Sequence, residues 1–133
     1  MEAVSKGAAE AGAHVIGVTC DEIENWRPVG PNNYVKEERR FPTLRERVFA
    51  LIDGCEAMIT LPGGIGTLAE VSLAWSQMQT GAISSRPLIL IGAAWKNTFD
   101  TYQSEFDAYI SDRYRNLLTF AKNVDEAVRL LPI

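Results

Sequence analysis

The sequence predicts an α/β protein built on a doubly wound parallel sheet. Short, solidly apolar segments alternate with helical patterns along the chain. Strands that are apolar on both faces must be covered on both faces, so this alternation is typical of a parallel sheet between two helix layers. Such sheets bind ligands beyond the carboxyl ends of their strands. The glycine-rich stretch ITLPGGIGTLAE (59–70) follows one such end, which makes it the first candidate for a site.

Length and composition favour one globular domain over residues 1–133. Apolar residues make up 47% of the chain and charged residues 23%. The net charge of -4 argues against a nucleic-acid or membrane-surface binder, whose surface would be basic. The two cysteines fit no zinc or disulfide pattern, and no segment reads as a signal peptide or a membrane helix. We therefore expect a cytoplasmic protein.

The first half of the chain contains two predicted helices, one strand and a long polar loop. They are the helix 1–12, the strand 14–20, the loop 21–42 and the helix 43–54. Gly12 and Gly54 are helix stops, and Thr43 with Glu46 fits a capping box. Within the loop, the charged run KEERR (36–40) is expected to be solvated.

The second half alternates strand and helix three times. The strands are predicted at 57–61, 87–92 and 117–121, and the helices at 67–81, 97–110 and 125–131. The chain then has only four strands, which is few for a doubly wound domain. We expect either an earlier strand–loop–helix outside this sequence or a second subunit at the open sheet edge.

The glycine loop is suited to bind phosphate. Glycines at a strand-to-helix turn let backbone N–H groups approach an anion, and the helix N-terminus adds positive charge. Gly63, Gly64, Gly66 and Thr67 are the candidate residues. A Walker loop is excluded, because no lysine precedes Thr67. The dinucleotide pattern is met by Gly64, Gly66 and Ala69, but its ribose-binding acid is missing downstream. A mononucleotide or sugar-phosphate loop and a tight turn without a ligand remain.

Glu70 and Arg47 each have a structural and a functional interpretation. Thr67-x-x-Glu70 fits a capping box, yet a carboxylate near a phosphate site also suits another part of the ligand. Arg47 lies at the edge of an apolar helix stripe that includes Leu44 and Leu51. It either snorkels from the core edge or directs a guanidinium into the crevice to hold a ligand or a carboxylate.

The stretch PGGIGTLAE (62–70) resembles the PGGxGTxxE motif of the LOG (Lonely Guy) proteins, often labelled "possible lysine decarboxylase". The family pairs its motif glutamate with an arginine 23 residues upstream, and that spacing from Glu70 leads to Arg47. The resemblance extends from residue 1 to about 131. It implies a Rossmann-like doubly wound fold from which the family's first strand–loop–helix is missing here.

The resemblance also implies an activity, namely hydrolysis of the N-glycosidic bond of a nucleoside 5'-monophosphate such as AMP. The implied catalytic residues are Arg47 and Glu70, and the implied phosphate-binding residues are Gly63, Gly64, Gly66 and Thr67. It implies a homodimer or larger homo-oligomer, and we expect no metal and no cofactor. The chain departs from the family pattern at Val48, where a lysine usually follows the arginine, and at Arg45, where a histidine is usual two residues before it. The stretch RRFPTLRER (39–47) before and into the helix suggests a bacterial branch.

Three alternatives to this activity remain. A non-catalytic nucleotide or molybdenum-cofactor carrier would use the same loop. A pyridoxal enzyme is disfavoured, because no lysine stands in a context typical of a Schiff-base site. A structural or interaction module is disfavoured by the Arg47–Glu70 spacing. The only histidine, His14, begins a strand, which argues against a metal site. Trp95, at the end of the third predicted strand, is expected near the site.

Overall fold

The computed structural model of the chain describes residues 1–132, which divide into two compact units. We call Met1–Gly54 the N-terminal unit and the part from Cys55 onward the C-terminal unit. Each contains parallel strands joined through helices. The chain is thus a mixed α/β protein, consistent with the predicted Rossmann-like doubly wound class. That residues 1–133 form one domain stays a prediction.

The N-terminal unit contains three helices and two strands. They are α1 (Glu2–Glu10), β1 (Ile16–Cys20), α2 (Asp21–Trp26), β2 (Glu37–Phe41) and α3 (Leu44–Asp53). Strands β1 and β2 pair in parallel, with Ile16 opposite Glu37 and Cys20 opposite Phe41. The predicted helices 1–12 and 43–54 and the strand 14–20 are confirmed with shorter ends. The predicted loop 21–42 is wrong, because α2 and β2 lie within it.

Strand β2 has a charged sequence, EERRF, that gave no strand signal. Its backbone is held by the parallel ladder with β1, and its side chains form surface ion pairs. Arg40 pairs with Asp21 at 2.6 Å and with Glu24 at 2.7 Å, and the hydrogen bond with Asp21 raises the pKa of Arg40. Glu37 accepts a 2.9 Å hydrogen bond from His14, which lowers the pKa of Glu37. Pairing with a neighbouring strand, rather than apolar burial, therefore makes this segment a strand.

The C-terminal unit contains a three-stranded parallel sheet and its helices. In chain order they are β3 (Met58–Thr60), α4 (Ile65–Thr80), β4 (Leu88–Ile91), α5 (Ala93–Glu105), a 3₁₀ turn (Asp107–Tyr109), α6 (Asp112–Arg115), β5 (Thr119–Ala121) and α7 (Val124–Arg129). The strands lie in the order β3–β4–β5. The three strands predicted here are confirmed. The helix predicted over 97–110 begins at Ala93 and gives way to the 3₁₀ turn.

The described residues therefore hold five strands in two sheets, against the four strands predicted. In the C-terminal unit β4 is the central strand and all four of its residues are buried. On one helix layer, the rings of Trp75 and Phe99 meet edge to face with centroids 5.8 Å apart. Each large apolar side chain buried in this way contributes about 1.5–3 kcal/mol to stability. This core supports the sheet edge from which the glycine loop leaves.

No helix within residues 1–132 is long and apolar enough to cross a membrane. The same residues contain no group of three or more His, Cys, Asp or Glu side chains placed to hold a metal ion. Cys20 and Cys55 form no disulfide bond.

Candidate functional site

The glycine-rich stretch connects β3 to α4 at the carboxyl edge of the C-terminal sheet. Strand β3 ends at Thr60, residues 61–64 form the connection, and α4 begins at Ile65. The helix was predicted from residue 67, so it begins two residues earlier. Gly66 and Thr67 consequently lie in the first helical turn, while Gly63 and Gly64 remain in the connection.

Gly63 is required by a close contact with Thr67. A Cβ atom at Gly63 would lie 2.8 Å from the Cβ of Thr67, closer than real Cβ atoms approach. The backbone at Gly63 and the side chain of Thr67 therefore pack directly against each other. Only glycine permits this packing without a shift of the loop or of the helix.

Gly64 and Gly66 are not required by packing. A Cβ atom at either position would meet no atom within 4 Å, and neither glycine has a positive φ. Both are exposed. The fold itself thus offers no reason for glycine at these two positions. What they provide is bare backbone facing open space, which lets a ligand approach the main chain closely.

The N-terminus of α4 has no side-chain cap among the described residues. Gly64 is the N-cap residue, and the first N–H that returns to the helix is that of Leu68, which donates to Gly64 O at 3.0 Å. The N–H groups of Ile65, Gly66 and Thr67 precede this bond and have no partner within the helix. Together with the helix dipole they form a surface that favours an anion.

Glu70 does not belong to a capping box. Because Gly64 is the N-cap, Thr67 is the third residue of α4 and Glu70 the sixth, so the capping interpretation of Thr67-x-x-Glu70 is wrong. Residues three and four apart share a helix face, which places Glu70 on the face of Gly66 and Thr67. Helical side chains lean toward the N-terminus. Glu70, a half-buried residue, therefore lies one turn after the open amides on the face from which a side chain can lean toward them.

Arg47 lies in α3 of the N-terminal unit and is half-buried. Its Nε donates a 2.9 Å hydrogen bond to the carbonyl oxygen of Val18 in β1. The side chain is thus held by the main chain of its own unit rather than extending freely into water, as simple snorkelling would require. Its predicted action on a ligand or a carboxylate stays a prediction. Five of the six predicted residues share the β3–α4 segment, and Arg47 is the sixth.

Trp95 lies in α5, beside the connection between β3 and α4. It was predicted at a strand end, but it belongs to the first turn of α5. Its indole Nε1 donates a 3.1 Å hydrogen bond to Leu61 O, and the side chain is buried. Trp95 thus lies beside the glycine loop, whereas its predicted proximity to a ligand site stays a prediction; the bond itself had no sequence signal. The glycine at position 92 was a sequence signal for a tight turn before Trp95. In the structure the chain turns there from β4 into α5, with a φ of 109° at Gly92.

The comparison with known proteins covers nearly the whole chain. The profile of the family described as "Possible lysine decarboxylase" matches residues 1–131. A "probable cytokinin riboside 5'-monophosphate phosphoribohydrolase" of Oryza sativa subsp. japonica is 28% identical over 136 residues, covering 98% of this chain and 58% of that protein. A cytokinin riboside 5'-monophosphate phosphoribohydrolase of Arabidopsis thaliana is 27% identical over 136 residues, with coverage of 98% and 60%.

A bacterial protein is similar to the same degree. A cytokinin riboside 5'-monophosphate phosphoribohydrolase of Mycobacterium tuberculosis is 28% identical over 138 residues, covering 97% of this chain and 69% of that protein. The chain spans about three fifths of the length of the two plant relatives. From the glycine loop and the match over residues 1–131, the chain belongs to the LOG family, whose profile carries the description "Possible lysine decarboxylase".

Proposed function

We propose that the protein is a nucleoside 5'-monophosphate phosphoribohydrolase, which releases a free base and ribose 5-phosphate. The observation that carries this proposal is the uncapped start of α4, where Gly64 and Gly66 expose bare backbone without any packing reason. The names of the relatives, which are hydrolases of a riboside 5'-monophosphate, support the same reaction class. AMP is the first substrate to test.

The 5'-phosphate would bind to the main-chain N–H groups of Gly63, Gly64, Ile65 and Gly66, with the Thr67 hydroxyl beside them. These amides have no partner within the helix and lie at its positive end. Phosphate binding there is remote from the bond that breaks. Its binding energy therefore holds the ribose in place, so that the interactions at the reacting carbon act on a fixed substrate.

Glu70 would act on the ribose. A phosphate at the helix start leaves the sugar to extend along the face that Glu70 shares with Thr67, where Cβ atoms three or four residues apart are about 5–6 Å from each other. As the N-glycosidic bond breaks, its electron pair leaves with the base and positive charge develops at C1'. The carboxylate stabilises this charge or accepts a proton from the water that adds to C1'. The departing base takes up a proton, so that the sum is hydrolysis.

Arg47 is proposed as the second catalytic residue, positioning Glu70 or the ligand. Its hydrogen bond to Val18 supports this role, because a guanidinium fixed at Nε is already oriented. The spacing of 23 residues to Glu70, which matches the family pattern, supports it further. The predicted homodimer or larger assembly stays a prediction.

Two other functions make different predictions. A carrier of nucleotides or molybdenum cofactor would bind its ligand through the same loop without turnover. A pyridoxal-dependent decarboxylase would need a desolvated lysine for its Schiff base. All four lysines are exposed, which disfavours that activity: Lys6, Lys36, Lys96 and Lys122.

The test is chromatography of the purified chain incubated with a panel of nucleoside monophosphates. The variants are Arg47→Ala and Glu70→Ala, and each has a matched control. Arg45→Ala removes a second arginine of α3, and Glu105→Ala removes an exposed carboxylate at the end of α5. We expect free base from the wild type and from both controls. Loss of Glu70 should lower the rate by about 10²–10⁴-fold if it acts as the general base.

The outcomes separate the functions. Free base from the wild type that disappears in both site variants supports the proposal and both roles. Saturable binding of AMP without free base would refute hydrolysis by this chain and favour the carrier. Release of carbon dioxide from lysine in the presence of pyridoxal phosphate would favour the decarboxylase instead.

A further inference from the structure

We infer that Trp95 is a positioning residue that holds the glycine loop in its ligand-binding conformation. The loop here means residues 61–64, between β3 and α4. The value of this conformation for catalysis rests on the function proposed above. The hold on the loop itself is a property of the C-terminal unit and can be measured without any substrate.

The Leu61 carbonyl has its partner outside the sheet. The pairing of β3 with β4 ends at Thr60, which lies opposite Leu90. Leu61 therefore lies just beyond the ladder, and the next residue, Pro62, has no N–H to contribute to any local bond. The indole Nε1–H of Trp95 donates to the Leu61 oxygen at 3.1 Å. Trp95 is only 8% exposed, so its indole donor is held by packing, whereas Leu61 is 37% exposed and is held on this side by the bond.

Trp95 is itself fixed from two directions. Its ring packs against Phe99 with centroids 6.1 Å apart. At the start of α5, Gly92 has a φ of 109°, a value that side-chain-bearing residues rarely adopt. A Cβ placed on Gly92 would lie 3.8 Å from Pro62 Cγ, so the turn into α5 also lies beside the loop. The indole donor therefore belongs to a rigid part of the unit.

A fixed Leu61 reduces the freedom of the amides that follow it. The loop is tied at its first residue by Trp95 and at its last by the bond from Leu68 N–H to Gly64 O. Without these ties the backbone at Gly63 and Gly64 would sample more conformations, and binding would have to order them. Preorganisation lowers that cost, so Trp95 should act on ligand affinity through the loop.

Trp75 provides a matched control in the same unit. Its indole Nε1 also donates to a main-chain carbonyl, that of Tyr114, at 2.7 Å. It is 9% exposed, close to the value for Trp95. Trp95→Phe and Trp75→Phe therefore remove the same group from equally buried positions. Only the first removes a hydrogen bond to the glycine loop.

The first measurement is ¹⁵N relaxation of the main-chain amides of Gly63 and Gly64, without ligand, in the wild type and both variants. In the wild type and in Trp75→Phe we expect order parameters near the rigid value of about 0.85. In Trp95→Phe the amides of Gly63 and Gly64 should fall toward about 0.6, while amides of β4 do not change. Equal order parameters at Gly63 and Gly64 in both variants would overturn the inference, whatever the enzyme's activity.

The second measurement is the affinity for AMP and its split between KM and kcat. Trp95→Phe should weaken AMP binding by about tenfold, because the loop loses the hydrogen bond that orders it before binding. KM should change more than kcat. Trp75→Phe should leave both constants unchanged. A fall in kcat alone, or equal effects of the two variants, would contradict a positioning role.

A third measurement uses the unaltered protein, so it can be made even if Trp95→Phe does not fold. The indole N–H resonance of Trp95 should shift when AMP is titrated, and that of Trp75 should not. A wild type that neither binds nor hydrolyses AMP would refute the proposed function alone. The order parameters would then still decide whether Trp95 holds the loop.

Discussion

Helices α3 and α4 begin in opposite ways. At the start of α3, Thr43 Oγ1 accepts from the N–H of Glu46 at 3.2 Å, and the Glu46 carboxylate accepts from the N–H of Thr43 at 3.2 Å. A second carboxylate, that of Glu22 in α2, accepts from the N–H of Leu44 at 2.7 Å. At the start of α4, Gly64 is the N-cap and no side chain in the described chain caps the helix.

The difference shows which helix end serves stability and which is available for a ligand. A cap of Ser, Thr, Asp or Asn stabilises a helix by about 1 kcal/mol relative to a residue that cannot cap. Helix α3 uses this gain, and its two carboxylates already occupy the place of an anion. Helix α4 is longer but forgoes the gain, which is typical of sites where function competes with stability. The following predictions test this contrast.

The largest effect should come from giving α4 a cap like that of α3. In Gly64→Asp the new carboxylate would cap the first-turn amides and repel a phosphate from them. We expect AMP affinity to fall by about 100-fold or more, since charge-assisted hydrogen bonds are lost. The free energy of unfolding should rise by about 0.5 kcal/mol. Calorimetric titration and urea unfolding measure the two quantities.

The matched control for that variant is Gly64→Ala, which adds bulk without charge or a capping group. It should weaken AMP binding less than Gly64→Asp, because its methyl group hinders the close approach of the phosphate but adds no repelling charge and no group that occupies the first-turn amides. Unchanged affinity in Gly64→Asp would show that the start of α4 is not the phosphate site.

The next effect separates the glycine that packs from a glycine that does not. Gly63→Ala forces a Cβ against Thr67 and should cost about 1–3 kcal/mol of stability through overpacking. Gly66→Ala is its counterpart in the first turn of α4, where a Cβ meets open space. It should stabilise the helix by about 0.5–1 kcal/mol. Thermal unfolding of both variants is the measurement, and effects of the same sign would contradict the assignment.

A smaller effect is expected at the cap of α3. Thr43→Ala removes the acceptor for Glu46 N–H and should lower the free energy of unfolding by about 1 kcal/mol. Affinity for AMP should not change, because this helix start binds no ligand in the proposed function. Thr101→Ala, on the exposed side of α5, is the control and should alter neither quantity. A loss of AMP affinity in Thr43→Ala would contradict the view that the start of α3 serves stability alone.

The smallest effect concerns the second carboxylate at α3. Glu22→Gln keeps an oxygen that can accept from Leu44 N–H but removes the charge that favours the helix N-terminus. We expect a loss of about 0.5 kcal/mol that shrinks as salt is added, since dipole interactions at exposed sites are screened. Urea unfolding at low and high ionic strength tests this. A loss independent of salt would show that geometry, not charge, dominates at this cap.

The capping box of α3 was predictable from sequence, whereas the start of α4 was not. Thr43 and Glu46 are three residues apart, and the helix they begin has a clear apolar stripe, so local chemistry sufficed. Thr67 and Glu70 have the same spacing and suggested the same box. There the helix begins two residues earlier, because Ile65 and Gly66 are also helical and Gly64 is the N-cap. A local pattern could not show where that helix begins.

The sequence by itself determined the class of fold, the central strand β4 and the glycine segment, because each depends on composition and order along a short stretch. Tertiary structure decided three other features. Charged β2 became a strand through its ladder with β1. Arg47 is held by the main chain of Val18, 29 residues away, and Leu61 by Trp95, 34 residues away. These contacts depend on how the folded chain brings distant segments together, which local pattern does not record.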